Sequence, residues 1–124
     1  SNIVNIVRKE GGKNLKNFFG SIFINRDELS KAGINYPIKV EYYKITDENR
    51  DKLTYGIQVI KTEYRDKIGI EQKRIEHLTN DEKEIINMLG LVKEYEVTPV
   101  GLEDVIIEIK KQTLAKNKKL SYNT

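Results

Sequence analysis

The sequence predicts an α+β fold: an antiparallel β-hairpin and meander sheet, a short helix near residues 26–33, and two C-terminal helices packed on the sheet. Three observations carry that prediction. The stretch IKVEYYKI alternates cleanly, with Ile38, Val40 and Tyr42 on one face and Lys39, Glu41 and Tyr43 on the other. After a polar turn region, TDENRDKL, the stretch TYGIQVIKT sets Tyr55, Ile57 and Val59 to one side, the spacing of an antiparallel hairpin. The period then changes: Ile85, Ile86, Leu89 and Val92, and later Leu102, Val105, Ile106 and Ile109, form two apolar stripes at helical spacing.

The remaining elements follow from local chemistry. Ile3, Val4, Ile6 and Val7 make a short β-prone run, and RKEGGKNLKN after it reads as a polar, basic, glycine-containing loop. FFGSIFIN is the next strand, with Phe19, Ser21 and Phe23 expected opposite Phe18, Gly20, Ile22 and Ile24. RDELSKAGI is a short helix: Asn25 can cap it, Asp27 and Glu28 suit its positive end, and Gly33 closes it. Residues 67–78 read as a third meander strand whose alternation blurs after Ile70. Thr79 and Glu82 have capping-box spacing for the first long helix, which Gly90 is expected to break early. Thr98-Pro99 starts the second, and the Lys/Asn-rich chain beyond Gln112 is expected to fray. Both stripes are narrow, so each helix should lie across one face of the sheet. The expected organisation is a basic hairpin and short helix (1–36), a meander with two helices (37–112) that is compact with it, and a flexible tail (113–124).

At 124 residues, 38% hydrophobic and 33% charged, the chain is long enough for one modest core under a heavily charged surface. Such a core is marginally self-sufficient, which leaves room for dimerisation. There is no cysteine and one histidine, which removes disulfides and zinc sites of the usual ligand types. No apolar run approaches 18 residues, so a cytoplasmic protein with no membrane partner is the expectation. The net charge is +3. It is unevenly spread: residues 1–36 and the lysine-rich tail are basic, and the middle is acidic, so a polyanion would meet the ends. A solvated Lys/Glu-rich surface explains the same composition.

Catalytic machinery is not expected. GxSxG, HExxH and a phosphate-cradling glycine loop are all missing, and the Gly11-Gly12 pair lacks nucleotide-motif spacing. His77 reads as structural or exposed. Glu82, Glu84, Glu103 and Asp104 fall near helix starts, where the helix dipole accounts for them. No cofactor and no metal site is expected. Seven tyrosines against three phenylalanines and no tryptophan suit a half-buried sheet, a protein interface or base stacking equally. The sharper signal is the cluster Arg8, Lys9, Lys13 and Lys16 around the first loop, with Arg26 beyond it, a set able to contact DNA phosphates and, through an arginine, a base edge.

Two resemblances bear on these residues. The order IVNIVRKEGG, GSIFINRDELSKAGI, IKVEYYKI resembles the swapped-hairpin DNA-binding module of the AbrB/SpoVT and MazE-antitoxin type over residues 3–62. That resemblance implies an obligate homodimer contacting double-stranded DNA through Arg8, Lys9 and Arg26, with Lys13 and Lys16 in the loop. Residues 40–106, from VEYYKIT through YGIQVIK to EVTPVGLEDVI, are similar to a small clostridial domain family of unknown function. This second resemblance implies a Firmicute-like origin, a strand meander followed by two helices, and no activity. The resulting expectation is a small dimeric DNA-binding regulator or antitoxin-like factor. The alternative is a non-catalytic protein-interaction module or inhibitor that never touches nucleic acid and uses its tyrosine-rich sheet face.

Overall fold

A computed structural model describes residues 4–9 and 12–122, with side chains from residue 12 to residue 119. Five strands follow one another across a single antiparallel sheet in the order β1-β2-β3-β4-β5: β1 (Val4–Lys9), β2 (Gly12–Phe23), β3 (Ile38–Asn49), β4 (Lys52–Glu63) and β5 (Gly69–Thr79). A short helix α1 (Arg26–Lys31) joins β2 to β3, and α2 (Glu82–Glu94) and α3 (Leu102–Tyr122) follow β5. The α+β expectation holds, with a sheet longer in its strands than the sequence suggests.

β3 and β4 pair without interruption from Ile38 opposite Glu63 to Asn49 opposite Lys52. The stretch read as a turn region is therefore mostly strand, and the reversal falls on Arg50 and Asp51, at φ 49° and 64°. Two positive φ values in a two-residue connection match the right-handed twist of the flanking strands. The first loop is likewise shorter than expected. β1 and β2 pair out to Lys9 opposite Gly12, so Lys13 and Lys16 are strand residues, not loop residues. Cross-strand pairing, Lys13 opposite Glu48 and Asn14 opposite Asp47, continues the sheet where polarity alone suggested a loop.

β2 contains a bulge between Phe18 and Gly20. One extra residue inverts the alternation behind it. Phe19, Ile22 and Ile24 consequently pack against the core, while Phe18 turns to the other face with its neighbour Tyr43. This corrects the expectation that Phe19 opposes Ile22 and Ile24.

The core lies between one sheet face and the helices. Val40, Tyr42, Tyr55, Ile57 and Val59 from the strands meet Ile85, Met88, Leu89 and Val92 of α2 and Leu102, Ile106 and Ile109 of α3. Tyr42 is fully buried, and its hydroxyl donates to the Val97 carbonyl at 2.8 Å, fastening the sheet to the segment between the helices. Asp81, not Thr79, caps α2, accepting from the Lys83 amide at 2.9 Å. α2 runs through Gly90 because its buried stripe continues to Val92, outweighing a mid-helix glycine cost of about 1 kcal/mol. A 3₁₀ turn, Pro99–Gly101, leads into α3 as the Thr98-Pro99 signal requires. The segment from residue 113, expected to fray, continues α3 to Tyr122: it holds leucine, alanine and lysine and no helix breaker. None of the helices in the described residues is long and apolar enough to cross a membrane.

Candidate functional site

The helices cover one sheet face only. The strand residues in the helix-facing core all point the same way, and the residues between them, on the opposite face, have neither long helix above them. On β2 that face carries Asn14, Lys16 and Phe18; on β3, Glu41, Tyr43, Ile45 and Asp47; on β4, Thr54, Gly56, Gln58 and Ile60, and of these Asn14, Ile45, Asp47, Gly56 and Gln58 are buried while the others are half-buried. β5 adds Ile70, Gln72 and Arg74 at the sheet edge.

Its centre is aromatic and aliphatic. Phe18 and Tyr43 meet edge to face, with ring centroids 5.6 Å apart, and Lys16 Nζ sits 4.3 Å from the Tyr43 ring centroid. The Tyr43 hydroxyl donates to Glu41 Oε2 at 2.9 Å. Burial, reinforced by that bond and the Glu41 charge, pushes its phenol up to about 12. Burial first and the Arg74 guanidinium second hold the Lys16 ammonium below the ordinary lysine value. Gln58 Nε2 donates to Gln72 Oε1 at 2.9 Å, while the buried Gln58 Oε1 has no partner among the described residues.

Toward the Arg50-Asp51 turn the face becomes a polar network. Asn14, only 3% exposed, donates to Asp47 Oδ1 at 2.5 Å and accepts from Arg74 Nη2 at the same distance. Arg74 Nε donates to Glu76 Oε1 at 2.8 Å. His77 Nδ1 lies 2.8 Å from Thr54 Oγ1, and His77 Nε2 lies 3.9 Å from Asp47 Oδ2 and 3.7 Å from Glu76 Oε2. A second bulge makes this possible. Between Ile75 and Thr79, β5 takes extra residues opposite Gly56, and His77 adopts φ 56°. A Cβ at position 56 would collide with the Ile75 carbonyl oxygen and stand 2.8 Å from Glu76 Cα, so glycine is what lets the bulge lie close.

Of the residues singled out in the sequence, Arg8, Lys9, Lys13 and Lys16 all lie on the β1–β2 hairpin, with Arg8 opposite Lys13, and Arg26 lies apart on α1. Arg8 and Lys9 belong to β1, but their side chains lie outside the described residues. Lys13 is exposed at the start of β2 and Lys16 lies along Tyr43. Arg26 sits on α1 at the far end of β2, roughly 33 Å away at ~3.3 Å per strand residue. Residue spacing does not mark the Asn14, Asp47, Thr54, Arg74, Glu76 and His77 cluster, because a meander and a bulge bring together residues spread over more than sixty positions. Its one local hint is the lone histidine of the chain, in a strand whose alternation fades.

No curated protein and no solved structure matches the chain. A family profile does, over residues 22–118, from the end of β2 almost to the end of α3. The match brings no support for the swapped-hairpin module and agrees with the second resemblance, to a domain family without a known activity. Covering more than half of the sequence, it identifies the chain as a member of DUF6514, a family of unknown function.

Proposed function

We propose that this chain is a non-catalytic protein-binding module that works through the open face of its sheet. The observation that carries the reading is a set of apolar residues, half-buried Phe18, Tyr43 and Ile60 with the 67%-exposed Ile70 at the sheet edge, on a face that neither long helix covers. Aromatic and aliphatic residues ringed by polar ones are what a protein partner buries. The ring carries both signs, Lys39, Lys16 and Arg74 beside Glu41, Asp47 and Glu76. A mixed-sign ring suits an isologous contact, in which one copy's cations meet the other's carboxylates, so a second copy of the chain is the first partner to test. Duplex DNA is the weaker reading: the face does not concentrate positive potential, and Lys13 and Arg26 stand at opposite ends of β2.

The experiment is site-directed photocrosslinking. A benzophenone amino acid replaces Ile60 on the open face or, as a control, the 49%-exposed Ile107 on α3. Irradiation in the producing cells is followed by mass measurement of the adducts. The expected result is a discrete polypeptide adduct from position 60, at twice the chain mass for a second copy, at least tenfold above position 107. Nucleic-acid adducts from position 60, or equal yields from both sites, overturn the reading.

A further inference from the structure

β5 ends the sheet, with β4 on one side and no strand on the other. Ile70 to Arg74 are exposed whichever face they point to, and Gly69–Ile75 pairs with β4 in an unbroken register without a bulge or a proline. Among the described residues, no hydrogen bond beyond the β4 ladder reaches the backbone of that stretch. The remainder of the strand is closed: the bulge follows Ile75, His77 takes a positive φ, and Lys110 Nζ donates to the Leu78 carbonyl. Every second residue of an edge strand turns its N–H and C=O outward, so Gly69–Ile75 presents a template for another strand. We propose that the chain self-associates along this edge, β5 pairing antiparallel with β5 of a second copy to join two sheets into one.

Charge selects both the register and the occupant. A two-fold axis perpendicular to the sheet relates the two copies, so residues opposed across the new ladder share a sheet face. They are then an even number of positions apart, and one residue stands opposite itself. Centring the pair on Glu71, Lys73 or Arg74 opposes like charges, which destabilises a cross-strand pair. Centring it on Gln72 sets Glu71 against the partner's Lys73 and Lys73 against the partner's Glu71. Both side chains already have ion-pair partners, Lys61 at 2.9 Å from Glu71 and Glu103 at 3.8 Å from Lys73. The dimer keeps those pairs and links them into a row of alternating sign: Lys61, Glu71, the partner's Lys73 and the partner's Glu103. On the other face the 67%-exposed Ile70 lies along the stem of the partner's Arg74. Gln72 meets its own copy there with Nε2 available to donate, since Oε1 accepts from Gln58. Edge charges ordinarily deter pairing, but these match their own image and not an arbitrary strand. The contact leaves Ile60 at the middle of the open face uncovered, so it stands apart from the face binding proposed above.

The chain has no cysteine, so one introduced thiol reports the register. Opposed Cα atoms about 4.5–5.5 Å apart lie within disulfide reach. Ile70 and its own copy would stand four residues apart along the ladder, about 13 Å and out of reach. Oxidation of Gln72→Cys is therefore expected to give a disulfide-linked dimer at least tenfold faster than Ile70→Cys. Sedimentation equilibrium of the untagged native chain should show reversible exchange between 14.4 kDa and twice that mass. Glu71→Lys and Lys73→Glu should each weaken dimerisation at least tenfold, and the double variant should recover most of the loss, with circular dichroism confirming that all three fold. A native chain that stays monomeric to ~1 mM overturns the proposal. Equal oxidation rates for the two thiols, or a double variant no better than the single ones, do the same. A dimer insensitive to charge inversion that crosslinks from position 60 assigns the contact to the open face, which overturns the edge and leaves the proposed function standing. Rapid oxidation of Gln72→Cys with no adduct from position 60 supports the edge and counts against the face.

Discussion

Tyr42 and Tyr43 are adjacent in sequence and opposite in fate. The alternation of β3 sends Tyr42 into the helix-covered core and Tyr43 to the open face. That split was legible, because strand period alone dictates it. What each phenol then meets was not. Tyr42 finds the carbonyl of Val97, fifty-five residues away, and Tyr43 finds Phe18, Lys16 and its own strand neighbour Glu41. Burial, the Glu41 hydrogen bond and the Glu41 charge all disfavour the Tyr43 phenolate, and its pKa rises from 10.0 to about 12. A raised folded-state pKa leaves stability intact below pH 10 and erodes it as pH climbs through the window from 10 to about 12. Absorbance titration at alkaline pH should therefore show a late-ionising phenol that disappears in Tyr43→Phe, and that variant should lose less stability between pH 10 and 12 than the native chain. If the phenol missing from Tyr43→Phe is instead one that ionises near the ordinary value of 10.0, the ring is not held against Glu41. The same residue scale explains why the cluster at His77 escaped sequence reasoning: Asp47 and His77 share no spacing, and only the bulge over Gly56 brings them together.

At the scale of the element, legibility tracked regularity. β3 and β4 pair in one unbroken register, and the faces of Ile38 to Tyr43 and of Tyr55, Ile57 and Val59 follow from alternation, although the strand ends beside the turn do not. β2 and β5 each carry a bulge, and in both the simple alternation misassigned or lost the faces behind it. The helices were readable from their stripes, but their ends were not. Gly90 is exposed and interrupts no packing, so α2 continues to Glu94. Its stop is made by backbone geometry instead. The Val97 amide donates to the Val92 carbonyl at 2.9 Å, and Glu96 takes the left-handed conformation at φ 53°. Glutamate is a poor choice for that position and glycine the natural one. Glu96→Gly is expected to stabilise the protein by about 0.5–1 kcal/mol, the strain removed exceeding the added unfolded-state entropy. Urea unfolding should show the gain as a higher midpoint at unchanged slope. A midpoint unchanged or lowered would show that the exposed Glu96 side chain contributes more than its backbone strain costs.

Across the whole molecule, order radiates from the pair β3–β4, which is flanked by β2 on one side and β5 on the other and has α2 above it. The fully buried Ile57 and Val59 sit at the middle of that stack. Distance from it sets local stability, because opening a segment costs in proportion to the apolar surface and backbone bonds it exposes. α3 shows the gradient within one element. Leu102, Ile106 and Ile109 are buried, whereas from Leu114 to Lys119 every residue is exposed. Sequence reasoning took this last part for a frayed tail; its backbone is helical, yet its lack of packing is what the lysine-rich composition implied. The two statements are compatible, since a helix can persist on propensity where nothing anchors it, and such a helix opens readily. Amide exchange should therefore be slowest at Ile57 and Val59, near the rate set by global unfolding, and faster by orders of magnitude beyond Thr113. Ending the chain after Ala115 should shift the unfolding free energy by no more than about 0.5 kcal/mol, the range of surface changes. Loss of more than about 2 kcal/mol, a magnitude reserved for disruption of packed groups, would mean that the end of α3 is an integral part of the core.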